Sequence, residues 1–115
     1  MATVSFKDDL TYILSRINLK DEQHVKFDIP FDDEFKKRDI EELYLKTRGT
    51  NVLKRNKIST MGDVIVNFDK LAKMRNCGVD TVKEIKNKVM QLWYESVDDE
   101  TRNEFWSDFV QANAA

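Results

Sequence analysis

The chain has 115 residues, a length that suits one domain or one domain with appendages. Its single cysteine, Cys77, and single histidine, His24, exclude a disulfide framework and a zinc site built from cysteine and histidine side chains. No apolar run approaches the roughly 18 residues of a transmembrane helix, and the acidic N-terminus does not resemble a signal peptide, so we expect a cytoplasmic protein without membrane contact.

The net charge of −2 conceals a basic middle between two acidic flanks. Residues 40–92 contain eleven Lys or Arg against six Asp or Glu. Residues 1–39 contain seven against nine, and residues 93–115 contain one against six. A basic segment of this kind is the electrostatic feature expected of a surface that contacts nucleic acid.

The first predicted helix begins at Ser5, which forms a weak capping box with Asp8 three residues later. Asn18 predicts its end. The apolar residues between them recur at helical spacing and form one continuous face, which must be buried against another element: Phe6, Leu10, Ile13, Leu14 and Ile17.

An alternation of apolar and polar residues from His24 to Phe31 favours an extended conformation. Pro30 cannot donate a ladder hydrogen bond, and no second strand is evident in the sequence. We therefore expect an extended strip laid over helices rather than a sheet. The acidic cluster at residues 32–34 then leads into a linker or a short helix.

The middle of the chain predicts three successive helices. The first covers residues 47–56, and Thr60 with Asp63 marks the start of the second. The third is short and covers residues 69–74. Few Gly and Pro residues interrupt this stretch, which is consistent with a helical protein.

Residues 76–78 (Asn-Cys-Gly) predict a tight turn that requires its glycine. Thr81 and Glu84 predict a capping box that opens a long helix. A last helix begins near Asp98 and carries aromatic residues on one side. The predicted fold class is all-α, with five or six helices and one extended strip.

Several motifs occur in order between residues 40 and 90. The first is an apolar-Glu-Glu-Leu strip followed by Arg48 and by the run Asn-Val-Leu-Lys over residues 51–54. The second is an Ile-x-Thr-Met-Gly-Asp-Val stretch over residues 58–64, and the third is Arg-Asn-Cys-Gly followed by Thr-Val-x-Glu-Ile-Lys over residues 75–86. This series resembles the C-terminal DNA-binding domain of the bacterial RNA polymerase alpha subunit. The resemblance implies a compact bundle of short helices with a helix-hairpin-helix-like motif, extended here by additional N- and C-terminal helices.

The resemblance also implies a DNA-binding site. In the family, the residues that match Arg48 and Asn51 enter the minor groove of A/T-rich DNA, whose narrow width concentrates negative potential. The hairpin and the helix that follows it make the second contact, because free backbone N–H groups at a helix start can hold a phosphate. The implied DNA-binding residues are Arg48, Asn51, Lys54, Asn76, Gly78 and Thr81.

The sequence departs from the family pattern at the hairpin. Asp80 stands where a lysine is usual, which places a negative charge near the expected phosphate. Cys77 replaces the usual leucine, Val52 replaces a common cysteine, and the stretch between Gly62 and Asn76 is one residue shorter. Asp80 therefore puts the phosphate contact, though not the fold, in question.

The sequence divides into three parts on this interpretation. Residues 1–39 form an N-terminal helix, the extended apolar strip and a linker, residues 40–95 form the domain that resembles the alpha C-terminal domain, and residues 96–115 form an acidic amphipathic helix. Because the large alpha N-terminal domain is missing from the sequence, we expect a small separate regulator rather than the subunit itself.

Two functions are consistent with the sequence. The first is a transcription-associated protein that binds A/T-rich DNA, for which a second copy of the chain would help because one module binds weakly. The second is a module that binds RNA polymerase, a sigma factor or another transcription factor without DNA. No Ser/His/Asp or Cys/His arrangement and no Gly-rich phosphate loop occurs, so we expect a protein that is not an enzyme, with no cofactor and no metal.

Overall fold

The structure is a computed structural model that describes residues 4–115. Within these residues the fold is all-α, as the sequence predicts, and contains no β-strand beyond two isolated bridges. Six α-helices are present: α1 (Phe6–Leu14), α2 (Asp33–Lys36), α3 (Thr47–Arg55), α4 (Met61–Val66), α5 (Val79–Ser96) and α6 (Asp99–Asn113). Two 3-10 helices cover Ile40–Leu43 and Phe68–Lys73.

The protein forms two compact units. Residues 31–92 form one, which we call the central unit, and residues up to Pro30 together with Trp93–Ala115 form the other, which we call the terminal unit. The first and the last segments that the structure describes thus belong to a single unit, a grouping that the sequence did not specify. The central unit has fourteen Lys or Arg against ten Asp or Glu, whereas the terminal unit has five against eleven.

Local capping side chains begin three helices of the central unit: α2, the first 3-10 helix and α4. Thr60 and Asp63 form the capping box predicted for α4, and hydrogen bonds from the backbone N–H groups of Ser59 and Thr60 lower the pKa of Asp63. Asp32 accepts from the Phe35 N–H at 2.8 Å and starts α2. These helices enclose the apolar core of the unit, in which the side chains are nearly or completely buried: Phe35, Ile40, Leu43, Val52, Leu53, Ile58, Met61, Val64, Leu71, Cys77, Ile85 and Val89.

The start of α5 differs from the sequence prediction. The helix begins at Val79, and the Gly78 carbonyl already accepts from the Val82 N–H at 3.0 Å. Thr81 therefore lies inside the first turn rather than at the cap position, and its side chain is buried. The predicted Thr81–Glu84 capping box is wrong because Thr81 is not the N-cap residue of α5, and the Glu84 carboxylate accepts instead from the Lys46 backbone N–H.

Two further boundaries differ from the sequence prediction. The first helix has the predicted cap, since Ser5 accepts from the Asp8 N–H at 3.2 Å, but it ends at Leu14 rather than near Asn18. The third predicted helix of the central part is a 3-10 helix that begins one residue early, at Phe68. The segment from residue 25 to 31 has no helix or strand, so it forms no part of a sheet, as the sequence predicts.

The terminal unit is organised around a cluster of aromatic side chains. Trp106 donates its indole N–H to the Tyr94 hydroxyl at 2.7 Å, and that hydroxyl donates to the Asp9 carboxylate at 2.5 Å. Phe6 stacks on Trp106 with a ring-centroid distance of 5.4 Å. Burial, reinforced by the hydrogen bond to Asp9, raises the pKa of Tyr94 to about 12.

Candidate nucleic-acid interface

An open groove on the surface of the central unit brings together the start of α3 and the turn before α5. From α3 it is lined by Thr47, Arg48, Asn51, Val52 and Arg55, and from the other side by Met74, Asn76, Cys77 and Gly78. Four of the six residues that the sequence indicated therefore share one surface: Arg48, Asn51, Asn76 and Gly78. Their assembly depends on the fold, because the two segments are separated in sequence by α4 and the second 3-10 helix.

The face of α3 that lines the groove follows from helical geometry. Arg48, Asn51, Val52 and Arg55 stand at positions i, i+3, i+4 and i+7, which project from the same side of a helix. Val52 is buried and anchors this face to the core, while the side chains of Arg48, Asn51 and Arg55 are exposed. The helix therefore presents two guanidinium groups and one carboxamide to solvent along the groove.

Gly78 lies opposite α3 and has an ordinary backbone conformation. Its φ is not positive, and a Cβ placed on it would meet no atom within 4 Å. The prediction that the turn requires this glycine is wrong. The left-handed residue of the turn is Asn76, with φ of 62°, a conformation that asparagine tolerates better than most residues.

Cys77, between those two residues, is a free buried cysteine. Burial raises the pKa of its thiol, so the group stays protonated at neutral pH. The side chain serves as a small apolar residue beneath the turn.

The other two predicted site residues lie outside the groove. The Lys54 ammonium pairs with the Glu41 carboxylate at 3.2 Å and does not line the groove. The Thr81 side chain is buried, although its backbone N–H belongs to the first turn of α5, where helical N–H groups have no intrahelical acceptor. Asp80, in the same turn, is exposed.

Sequence reasoning missed Arg55 as a residue of the groove. Its spacing could have predicted this position, because Arg55 follows Arg48 by seven residues and therefore lies on the same face of the helix. The residue pattern drew attention to Lys54 instead, because Lys54 belongs to the motif that carries the resemblance.

Comparison with known proteins assigns the central unit to a family. Residues 30–91 match the family of the C-terminal domain of the bacterial RNA polymerase alpha chain. The protein belongs to this family. The match covers nearly all of the central unit and confirms the resemblance seen in the sequence. The family is a class of transcription-associated, non-catalytic DNA-binding domains.

The related sequences are alpha subunits of bacterial RNA polymerase. The chain is 37% identical over 79 residues to "DNA-directed RNA polymerase subunit alpha" of Syntrophomonas wolfei, a match that covers 63% of this chain and 25% of that protein. It is 40% identical over 62 residues to the subunit of Mycoplasma capricolum, covering 53% of this chain and 20% of that protein.

The subunit of Fervidobacterium nodosum is 39% identical over 51 residues, covering 44% of this chain and 16% of that protein. The matches thus span a quarter or less of the length of these curated relatives. No solved structure matched the sequence significantly.

Neither a membrane span nor a metal site is found in residues 4–115. None of the helices there is long and apolar enough to cross a bilayer. Over the same residues, no three His, Cys, Asp or Glu side chains are grouped so that they could hold a metal ion.

Proposed function

We propose that the central unit binds A/T-rich DNA as part of the transcription machinery, with the groove as its contact surface. The observation that carries the proposal is that Arg48 and Asn51 face Asn76 and Gly78 across one groove of a domain from this family. Arg48 and Asn51 enter the minor groove, where the concentrated negative potential of a narrow A/T tract attracts a guanidinium. The DNA lies against the groove without any catalytic step.

Gly78 supports this orientation for a physical reason. A glycine whose φ is ordinary and whose Cβ position is open has no role in the fold that another small residue could not fill. A close approach of the backbone to a ligand is another reason for a glycine at such a position. The backbone N–H groups of the first turn of α5 follow directly, so a phosphate beside Gly78 would meet them and the positive end of the helix dipole.

Lys54 and Thr81 have weaker roles in this proposal. Lys54 contributes the general attraction of a positive charge, because it lies outside the groove and is paired with Glu41. Thr81 contributes only its backbone N–H, since its side chain is buried. A single module with so few contacts binds DNA weakly, so two copies on adjacent sites would strengthen the complex.

The test is the fluorescence anisotropy of a labelled A/T-rich duplex of about 30 base pairs, titrated with the whole protein at two salt concentrations. We expect salt-sensitive binding that Arg48→Ala largely abolishes. The matched control is Lys70→Ala, which removes one exposed positive charge of the central unit from outside the groove and should change affinity only slightly. Lack of binding at tens of micromolar protein in low salt, with a folded protein by circular dichroism, would overturn the proposal.

A second function, binding to a protein of the transcription machinery without DNA, is favoured by Asp80. This carboxylate is exposed two residues after Gly78, so it repels a phosphate at the hairpin. At the same position it could pair with a basic side chain of a polymerase subunit, sigma factor or activator. If the anisotropy experiment gives no binding, this function becomes the preferred one, and titration with purified polymerase is the experiment that follows.

A further inference from the structure

Arg55 is the last residue of α3 and the one groove-lining cation that the sequence pattern did not single out. It shares the exposed face of the helix with Arg48 and Asn51. The position of Arg55 along α3 determines which region of a bound DNA its guanidinium can reach. This region differs from the one that Arg48 reaches.

The cationic side chains of the central unit differ in which groups already engage them. Lys54 is paired with Glu41 at 3.2 Å, Arg38 with Glu42 at 2.7 Å, and the Lys86 ammonium lies over the Phe68 ring at 5.9 Å. Within residues 4–115, no hydrogen bond or ion pair engages the Arg55 guanidinium. Its five donors are available to a ligand, and the cost of breaking an internal pair does not arise.

The separation of the two arginines sets their targets. Seven residues of α-helix advance about 10 Å along the axis. The minor groove of B-DNA is only about 6 Å wide, so a helix that inserts Arg48 into it carries Arg55 beyond the groove wall. What lies there is a sugar-phosphate strand.

We propose that Arg55 binds a backbone phosphate that flanks the minor-groove site of Arg48, and so supplies a sequence-independent contact. This inference rests on the proposed DNA-binding function and adds a second, distinct contact to it. A phosphate contact by Arg55 lies on α3 rather than at the hairpin. Its attraction for DNA offsets the repulsion between Asp80 and a phosphate at the hairpin. Arg48 then sets the preference for A/T-rich DNA, while Arg55 adds affinity on any duplex.

The experiment compares Arg55→Ala with Lys54→Ala, neighbours of equal charge of which only the first lines the groove. Each is titrated against an A/T-rich and a G/C-rich duplex of equal length over a series of salt concentrations. We expect Arg55→Ala to weaken binding by roughly three- to tenfold on both duplexes and to lower the salt slope by about 0.9. Lys54→Ala should have a clearly smaller effect on both quantities.

Lysine substitutions separate a phosphate contact from a minor-groove contact. A phosphate accepts the ammonium of lysine, so Arg55→Lys should keep most of the affinity, whereas Arg48→Lys should lose the A/T preference, since lysine does not reproduce the planar guanidinium. Circular dichroism of each variant shows whether the total helical content is unchanged.

The possible failures are distinguishable. If the wild type binds DNA and Arg48→Ala abolishes binding, but Arg55→Ala equals Lys54→Ala, the Arg55 assignment is wrong and the proposed function stands. A loss in Arg55→Ala confined to the A/T-rich duplex would also overturn the phosphate assignment. If the wild type binds neither duplex, the proposed function itself fails.

Discussion

Glu84 of α5 accepts a hydrogen bond at 3.3 Å from the backbone N–H of Lys46, 38 residues earlier in the sequence. The carboxylate thereby supplies a hydrogen-bond acceptor at the start of α3, where the N-cap residue Lys46 forms no side-chain cap. Gly49 leaves the room for it, because a Cβ at that position would stand 3.2 Å from Glu84 Oε1. A negative group at a helix start also interacts favourably with the helix dipole. The contact therefore holds in place the turn that carries Arg48.

We expect Glu84→Ala to lower the free energy of unfolding by about 1 kcal/mol, the usual cost of losing a helix cap. Glu84→Gln should cost less, because its amide oxygen can still accept the hydrogen bond. Urea denaturation measures both, with Glu104→Ala, at an exposed position of α6, as the control. Equal stability of Glu84→Ala and the wild type would show that this hydrogen bond does not stabilise α3.

Gly78→Ala should leave the fold intact and weaken DNA binding. The new methyl group meets no atom within 4 Å, so we expect a stability change below about 0.5 kcal/mol, while the methyl group would separate the backbone from a bound phosphate. Thermal unfolding and anisotropy measure the two effects.

Gly62→Ala is the matched control for Gly78→Ala. Its Cβ would stand 3.2 Å from the Lys36 backbone oxygen, which cannot move aside in the way that the end of a flexible side chain would. We expect a loss of stability of about 1 kcal/mol and unchanged affinity of the folded protein. Full affinity in Gly78→Ala would contradict the position of the DNA backbone at the hairpin.

The helix caps show which local features could be predicted from the sequence and which could not. Caps that pair residues three apart, such as Ser5 with Asp8 and Thr60 with Asp63, were predictable because both partners belong to one turn of helix. The pattern Thr81-x-x-Glu84 has the same form and failed. A backbone N–H from a distant segment competes for Glu84, and nothing in the local sequence records that competitor.

Asn113 links the two chain segments that form the terminal unit. Its side chain accepts from the Lys26 backbone N–H at 2.7 Å and donates to the Lys26 carbonyl at 2.9 Å and to the Phe109 carbonyl at 2.9 Å. The residue is 4% exposed, so a substitution leaves poorly solvated backbone groups without partners.

We expect Asn113→Ala to lower the free energy of unfolding by about 2 to 3 kcal/mol. Hydrogen exchange of the Lys26 amide should become faster as well, because the extended strip loses its attachment. Gln111→Ala, at an exposed position of the same helix, provides the control. Unchanged exchange at Lys26 in Asn113→Ala would mean that the strip is held by its apolar side chains alone.

The raised pKa of Tyr94 predicts how the free energy of unfolding changes at alkaline pH. Burial and the Asp9 carboxylate raise the pKa of its phenol from 10.0 to about 12, so between these values the folded protein keeps a proton that the unfolded protein releases. The contribution of Tyr94 to stability is therefore complete below pH 10 and falls as the pH rises to about 12.

Urea denaturation of the wild type and Tyr94→Phe at intervals from about pH 9 to pH 12 tests this dependence. The wild type should lose stability more steeply than Tyr94→Phe, although the variant is less stable at neutral pH because Trp106 and Asp9 lose a partner. The ultraviolet absorbance of tyrosinate follows the ionisation directly. Parallel pH profiles of the two proteins would contradict the assignment to Tyr94.

The candidate site was predictable only in part. Arg48, Asn51, Asn76 and Gly78 could be found from motifs, because each lies in a short run of characteristic residues. Arg55 could be assigned to the groove only from the structure, which shows the face of α3 that lines it. Lys54 was included in the predicted site because it belongs to the motif, although its ammonium pairs with the Glu41 carboxylate. The ion pair joins residues from separate elements, so no spacing rule along the sequence predicts it.

Asp80→Lys tests the hairpin and separates the two proposed functions. The substitution removes a carboxylate from the first turn of α5, which costs about 0.3 to 1 kcal/mol through the helix dipole. It also places an ammonium beside the expected phosphate. If the hairpin contacts DNA, the affinity should rise and the salt slope should increase by about 0.9, one additional phosphate contact.

The control for Asp80→Lys is Asp69→Lys, which makes the same charge change at an exposed position of the second 3-10 helix. A clearly larger gain in Asp80→Lys than in Asp69→Lys places the hairpin at the DNA. Equal gains would mean that only the net charge of the unit matters, and no gain on a measurable affinity would mean that DNA does not reach the hairpin. Binding that appears only in Asp80→Lys would favour the protein-binding function for the natural sequence, because Asp80 would then be the group that excludes DNA.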